Sequence, residues 1–295
     1  MGDSELGNMV PMLSGLTEDS FKRSCSLNQS EFCPFLWRVL PPGQLSMLLM
    51  NAPTGLNFRY PPTDLYPETF AKVSGVRSCS ASKKALNYVS KLFTCARSPI
   101  FATVWLSDAT DIEVAQFLEK NRYIFSSVTL VLYMADVFHI VTPSSLMKKH
   151  PDKWINLRYN SRLLTTPLDV YATLQDLLLL DKNDRKPLGT SLFSRVSRFR
   201  KCNDLGIPHH ICKCRKYTPL SLSDPFLFLL AKRIVEKLCP GTPVNYIQQA
   251  LRSGDLYYLV IQTPGDTFEG TVQLNYTEPI VHQTICKICS CQYLK

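Results

Sequence analysis

The sequence predicts an α/β protein with a small Cys-rich α+β extension at its C-terminal end. Three observations carry this expectation. Near-continuous apolar runs at 100–106 and 128–134 have the length of buried strands. Helical periodicity lies between and after them, at 83–94, 111–120 and 168–180, and a strand–helix–strand order implies crossover connections. After residue 215 the pattern becomes one helix, a hairpin and a cluster of cysteines. Two domains are expected on this basis, 1–215 and 216–295.

The first 80 residues are Pro-rich and weakly periodic. Segments 8–16 and 44–50 read as short helices, the second stopped by Pro53 and Gly55. Segment 57–70 reads as extended, because a residue that precedes proline is pushed out of the helical region. In 83–94, Ala85, Leu86, Val89, Leu92 and Phe93 share one helix face, and Pro99 stops it. A short strand is expected at 138–141, and a polar helical stretch at 144–160. Thr166-Pro167-Leu168-Asp169 is a helix start: Thr166 caps, Pro167 suits the first helical position, and Asp169 completes a capping box. Asp224-Pro225 opens an amphipathic helix that ends near Leu238. Segments 256–262 and 270–276 pair as a hairpin through Pro264-Gly265-Asp266.

The chain carries 33 Lys and Arg against 24 Asp and Glu, a net charge of +9. With 45% hydrophobic and 11% aromatic residues, it has the composition of a folded protein rather than a disordered one. Most of the excess charge sits in the loop-like stretch 182–216. Lys182, Arg185, Lys186, Arg195, Arg198, Arg200, Lys201, Lys213, Arg215 and Lys216 face only Asp184 and Asp204 there. Such a stretch is either a solvated loop or a surface for polyanions. It has no recognisable nucleic-acid reader motif, so nucleic acid is not expected.

Eleven cysteines, six of them in two clusters, point to disulfides and an oxidising compartment. The disulfide candidates are Cys202, Cys212, Cys214, Cys239, Cys286, Cys289 and Cys291, and an odd total leaves one thiol over. Zinc is the rival: Cys286-x-x-Cys289 has ligand spacing, and His209 and His210 lie beside Cys212 and Cys214. Two sequons, at Asn28 and Asn275, fit secretion. No segment approaches the roughly 20 apolar residues of a membrane helix. No signal peptide is visible in the chain as given. His139 and His282 lie in apolar segments and read as packing histidines; Trp37, Trp105 and Trp154 read as core or core-edge residues.

Four stretches resemble one family. They are Gly2-Asp3-Ser4-Glu5-Leu6-Gly7-Asn8 with the following MVPMLSGLTEDSF, and PPTDLYPETF with the strand ending Val104-Trp105-Leu106-Ser107. The third is Arg162-Leu163-Leu164-Thr165-Thr166-Pro167-Leu168-Asp169 with VYATLQDLL. The fourth is Leu188-Gly189-Thr190-Ser191-Leu192-Phe193 with Cys202-Asn203-Asp204-Leu205-Gly206-Ile207-Pro208 and Cys212-Lys213-Cys214. The chain resembles the animal "domain of unknown function 229" family, a sulfatase-like branch of the alkaline-phosphatase superfamily.

The resemblance implies a three-layer α/β/α sandwich, here partial and truncated at its N-terminal end. It also implies paired divalent metals that activate a nucleophile for sulfate or phosphate ester hydrolysis. The positions that would carry this chemistry have changed. Glu5 stands where the nucleophilic Thr is expected. Asp136 is the one remnant of the metal motif, with Val137 and Thr110 at the two expected His positions. The first metal Asp would lie upstream of Met1. One ligand does not hold an ion, because coordination needs several converging donors.

The expectation is therefore a secreted, sulfatase-like protein without catalysis and without a cofactor, which binds sulfated glycans or other polyanions, or scaffolds. The candidate anion ligands are Arg195, Arg198, Arg200, Lys201, Lys213, Arg215 and Lys216. Two alternatives stand beside it. One is a calcium- or zinc-dependent ester hydrolase whose N-terminal part is missing from this chain. The other is a zinc-stabilised interaction module.

Overall fold

The structure is a computed structural model, which describes residues 5–25, 27–51, 56–67, 81–106, 109–124, 127–134, 137–178, 188–207, 212, 214–275 and 279–286. It is mixed α/β, with helices and several sheets. The chain divides into two compact units, residues 1–200 and 201–295.

The first unit is organised around a parallel pair of strands, β1 (Leu45–Met50) and β2 (Ile100–Trp105), in register from Leu45 opposite Ile100 to Met50 opposite Trp105. Successive side chains on a strand point to opposite faces. Leu48 and Met50 accordingly join one core cluster with Met9, Val10 and Leu13 of α1 (Glu5–Ser14) and Val170, Tyr171 and Leu174 of α7 (Pro167–Leu177). Met47 and Leu49 join a second cluster with Ala85 and Val89 of α3 (Ala81–Cys95). The pair is thus covered by helices on both faces, as a parallel pair requires. Phe21 of α2 (Glu18–Ser24), Phe35 and Trp37 also belong to the first cluster.

Two expectations are corrected here. Segment 44–50 is not a helix but strand β1. A short, nearly continuous apolar run satisfies either period, and burial on both faces decides for the strand. The run at 128–134 is not a fully buried parallel strand. Strand β3 (Leu130–Met134) pairs antiparallel with β4 (Val137–Val141), and Leu130, Val131 and Leu132 are only half-buried. Two intervening residues leave no room for the crossover that parallel strands need.

The remaining helices of this unit follow their local signals. Helix α4 spans Asp111–Lys120, α5 Ser144–Lys149 and α6 Pro151–Asn160, with the break between the last two at Pro151. Helix α7 carries the predicted capping box. The Thr166 hydroxyl accepts from the Asp169 amide, and the Asp169 carboxylate accepts from the Thr166 amide at 2.8 Å.

The second unit is a five-stranded antiparallel sheet of β5 (Thr218–Pro219), β6 (Tyr246–Ser253), β7 (Leu256–Gln262), β8 (Thr267–Leu274) and β9 (Pro279–Cys286), in that order. Helix α8 (Pro225–Leu238), capped by Asp224, packs on one face. Leu227, Leu230, Ala231, Ile234 and Val235 of α8 meet Ile247, Leu259, Ile261, Phe268 and Val272 of the sheet. The predicted hairpin is β7–β8, and β6 and β9 extend it. Among the described residues, no helix is long and apolar enough to cross a membrane.

Candidate functional site

The best-defined polar construction lies where residues 188–200, which have no helix or strand, lie along α6 and α7. Asp169 is fully buried in the first turn of α7. Its carboxylate receives Nη1 of Arg200 at 2.8 Å and Nη2 at 3.0 Å, a bidentate pair. The Thr190 amide donates to the same carboxylate at 2.7 Å, and Arg200 Nη2 also donates to the Thr190 hydroxyl at 2.8 Å. A buried charge is tolerated only when paired and hydrogen-bonded, and this one is both.

Further bonds fix the rest of the segment. The Leu192 amide donates to the Thr173 hydroxyl at 2.8 Å. The Asn160 side chain donates to the carbonyls of Leu192 and Ser194 and accepts from the Val196 amide at 3.0 Å. Asn156 donates to the Phe193 carbonyl at 2.8 Å. Ser191 donates to Asp176, which also pairs with Lys153. Gly189 passes so close to α7 that a Cβ there would lie 2.1 Å from the Leu168 carbonyl oxygen. The segment has side-chain partners where a helix or strand would have backbone ones.

This placement sorts the candidate anion ligands. Arg195 is exposed and lies over the Tyr159 ring, 5.0 Å from its centroid. Arg198 is exposed and lies over the Phe199 ring at 4.8 Å. Tyr159 and Phe199 are themselves exposed. Arg200 is withdrawn from the set, since its terminal nitrogens are committed to Asp169 and Thr190. In the second unit Lys201 and Lys216 are exposed, whereas Arg215 is half-buried and donates to the Ser253 carbonyl at 3.2 Å. Lys213 lies outside the described residues.

Of the positions tied to ester hydrolysis, only Thr110 has a described side chain. Thr110 caps α4: its hydroxyl accepts from the Glu113 amide at 3.2 Å, and Glu113 accepts from the Thr110 amide at 3.0 Å. Glu5 opens α1 and Val137 opens β4, their side chains lying outside the described part. Asp136, His209 and His210 also lie outside it. His139 is exposed on β4 rather than packed inside, because β4 ends a two-stranded ribbon. His282 is half-buried and shares a 2.8 Å hydrogen bond with Gln273.

Cys202 and Cys212 form a disulfide, and Cys239 is also disulfide-bonded. Cys214 is a free, exposed thiol whose sulfur lies within 4.8 Å of those of Cys202 and Cys212. With two of the three joined, the trio offers a metal one thiol as it stands. Cys286 ends β9 with its side chain outside the described part, and Cys289 and Cys291 lie beyond it. Cys25 and Cys33 are free thiols of the first unit. Burial, then a hydrogen bond to Cys25, pushes the Cys33 thiol well above its ordinary range.

Sequence reasoning found the basic segment but missed Tyr159 and Phe199, which give its arginines a stacking surface. The available signal was an exposed-type aromatic in the polar stretch Arg158-Tyr159-Asn160-Ser161-Arg162.

Residues 134–243 match the family described as "Protein of unknown function (DUF229)". The match contains α5, α6, α7 and the pinned segment. No curated protein and no solved structure is similar enough to the chain to count as a match.

Proposed function

We propose that this chain is a non-catalytic, sulfatase-like protein with a partial alkaline-phosphatase-like sandwich, working in the secretory pathway or outside the cell, and that it binds sulfated glycans or related polyanions. The observation that carries the reading is the segment 188–200, tied down by the buried Asp169–Arg200 pair while Arg195 and Arg198 stand exposed over Tyr159 and Phe199. Fixing a loop in advance lowers the ordering cost of binding. Guanidinium groups suit sulfate and carboxylate, and exposed aromatic rings suit sugar faces. The Cys202–Cys212 bond fits an oxidising compartment.

The test is binding of the intact protein to a sulfated oligosaccharide, followed by calorimetry over a range of salt concentrations. Arg195→Glu with Arg198→Glu should weaken binding by about tenfold or more at low salt, and flatten its salt dependence. Unchanged affinity in this double variant contradicts the reading.

A further inference from the structure

We propose that a second site, in a cavity bounded by α5, α6, the end of α7 and Phe193, binds a small amphiphilic carboxylate, with an apolar body against the hydrophobic wall and its head on Thr142, Lys149 and His150.

The cavity has a volume of about 210 Å³. This is below the roughly 300–1,000 Å³ of sites for drug-sized ligands, so its occupant is small. Leu146, Leu157, Leu177, Phe193 and the Trp154 ring supply an apolar wall. Lys149 and Lys153 supply the positive side, with the His150 imidazole beside them. Lys153 is already engaged: it pairs with Asp176 and lies over the Phe193 ring at 4.8 Å. Asp176 is likewise occupied, by Lys153 and the Ser191 hydroxyl. The acid in the lining is therefore neutralised, and Lys149 sets the sign.

Thr142 supplies the independent pointer. It lines the cavity and is 9% exposed, and its hydroxyl is buried without a hydrogen-bond partner among the described residues. An orphaned buried hydroxyl costs free energy unless a ligand or water satisfies it. His150 joins α5 to α6, and its side chain makes no N-cap bond to α6. A hydroxyl donor, an uncommitted imidazole and a lysine beside an apolar wall match one negative head on a hydrophobic body. A purely apolar guest leaves Thr142 orphaned, and a bare inorganic anion leaves the wall wet.

The test is calorimetric titration of the intact protein with octanoate, octanol and acetate. Octanoate should bind one to one, at least about tenfold more tightly than either of the others. It should also change the tryptophan fluorescence, and Trp154→Phe should remove that change. Thr142→Val should weaken octanoate binding by about tenfold while the thermal midpoint stays the same or rises, and Lys149→Glu should weaken it similarly. Octanol binding as well as octanoate reduces the cavity to an apolar groove and overturns the proposal. Acetate binding as well as octanoate reduces it to a charge site and overturns it equally. Failure of octanoate to bind, or wild-type affinity in Thr142→Val, also overturns it.

Discussion

Arg200 and Asp169, 31 positions apart in sequence, form a bidentate ion pair in which the carboxylate is fully buried and the arginine side chain is 12% exposed. One oxygen of that carboxylate also closes the α7 capping box, and the other receives the Thr190 amide. A single side chain thus sets a helix start and the course of the following loop. Asp169→Asn should destabilise the first unit by about 3–5 kcal/mol, because Arg200 keeps its charge without a partner. Arg200→Met should cost a similar amount, and the double variant clearly less than the sum. Urea unfolding of the three proteins checks this; additivity would show that the pair is not coupled.

Gly189 faces the backbone of the same helix turn. Gly189→Ala places a Cβ against Leu168 and Asp169 main-chain atoms that the capping box holds in place. The cost should be about 3 kcal/mol. Gly43→Ala is the comparison: its φ is +83° but nothing lies within 4 Å, so about 1 kcal/mol is expected. Thermal unfolding should rank the two in that order.

The sheet of the second unit has its own pH response. Burial, then the charge of Glu269 and a hydrogen bond to it, pushes the Tyr258 phenol up to about 12. In the unfolded chain the phenol ionises near 10. Between these values the unfolded state has released a proton that the folded state keeps, so stability falls as pH rises through the window. Tyr258→Phe should reduce that alkaline slope, as read from denaturation midpoints between pH 9 and 12.

The thiols should react in an order set by exposure and charge state. Cys95 and Cys214 are exposed and should be alkylated in the native protein, whereas Cys33 should react only on unfolding. Cys202 and Cys212 should stay unlabelled until a reductant is added. Replacing both by Ser should cost the second unit about 2–3 kcal/mol, given the ten-residue separation. Mass mapping of the label and urea unfolding read the two results.

Much of the helical framework was legible because its signals are local. The Thr166–Asp169 box, the Asp224-Pro225 start and the apolar face of 83–94 each lie within a turn or two of chain. Strand β1 was misread because its run is too short for its period to be distinctive. Strand β6 was missed because a register shift between Ile247 and Gln249 sets its buried Ile247 and Ala250 three positions apart, which breaks the alternation. The basic segment was legible as charge, but its composition cannot show which arginine is structural. Arg195, Arg198 and Arg200 look alike in sequence, and only the distant Asp169 separates the last from the others. The cavity at Thr142 was invisible for the same reason, since its walls come from four separate stretches.

Hydrogen exchange of the amides of Thr190, Leu192 and Val196 tests most directly whether segment 188–200 is a fixed platform. Each donates to a side chain, respectively of Asp169, Thr173 and Asn160. The account predicts exchange at least about a hundredfold slower than in an unstructured chain, with Thr190 losing that protection in Asp169→Asn. Exchange at the unprotected rate in the wild-type protein would contradict it, and with it the proposal that the segment holds Arg195 and Arg198 ready for a polyanion.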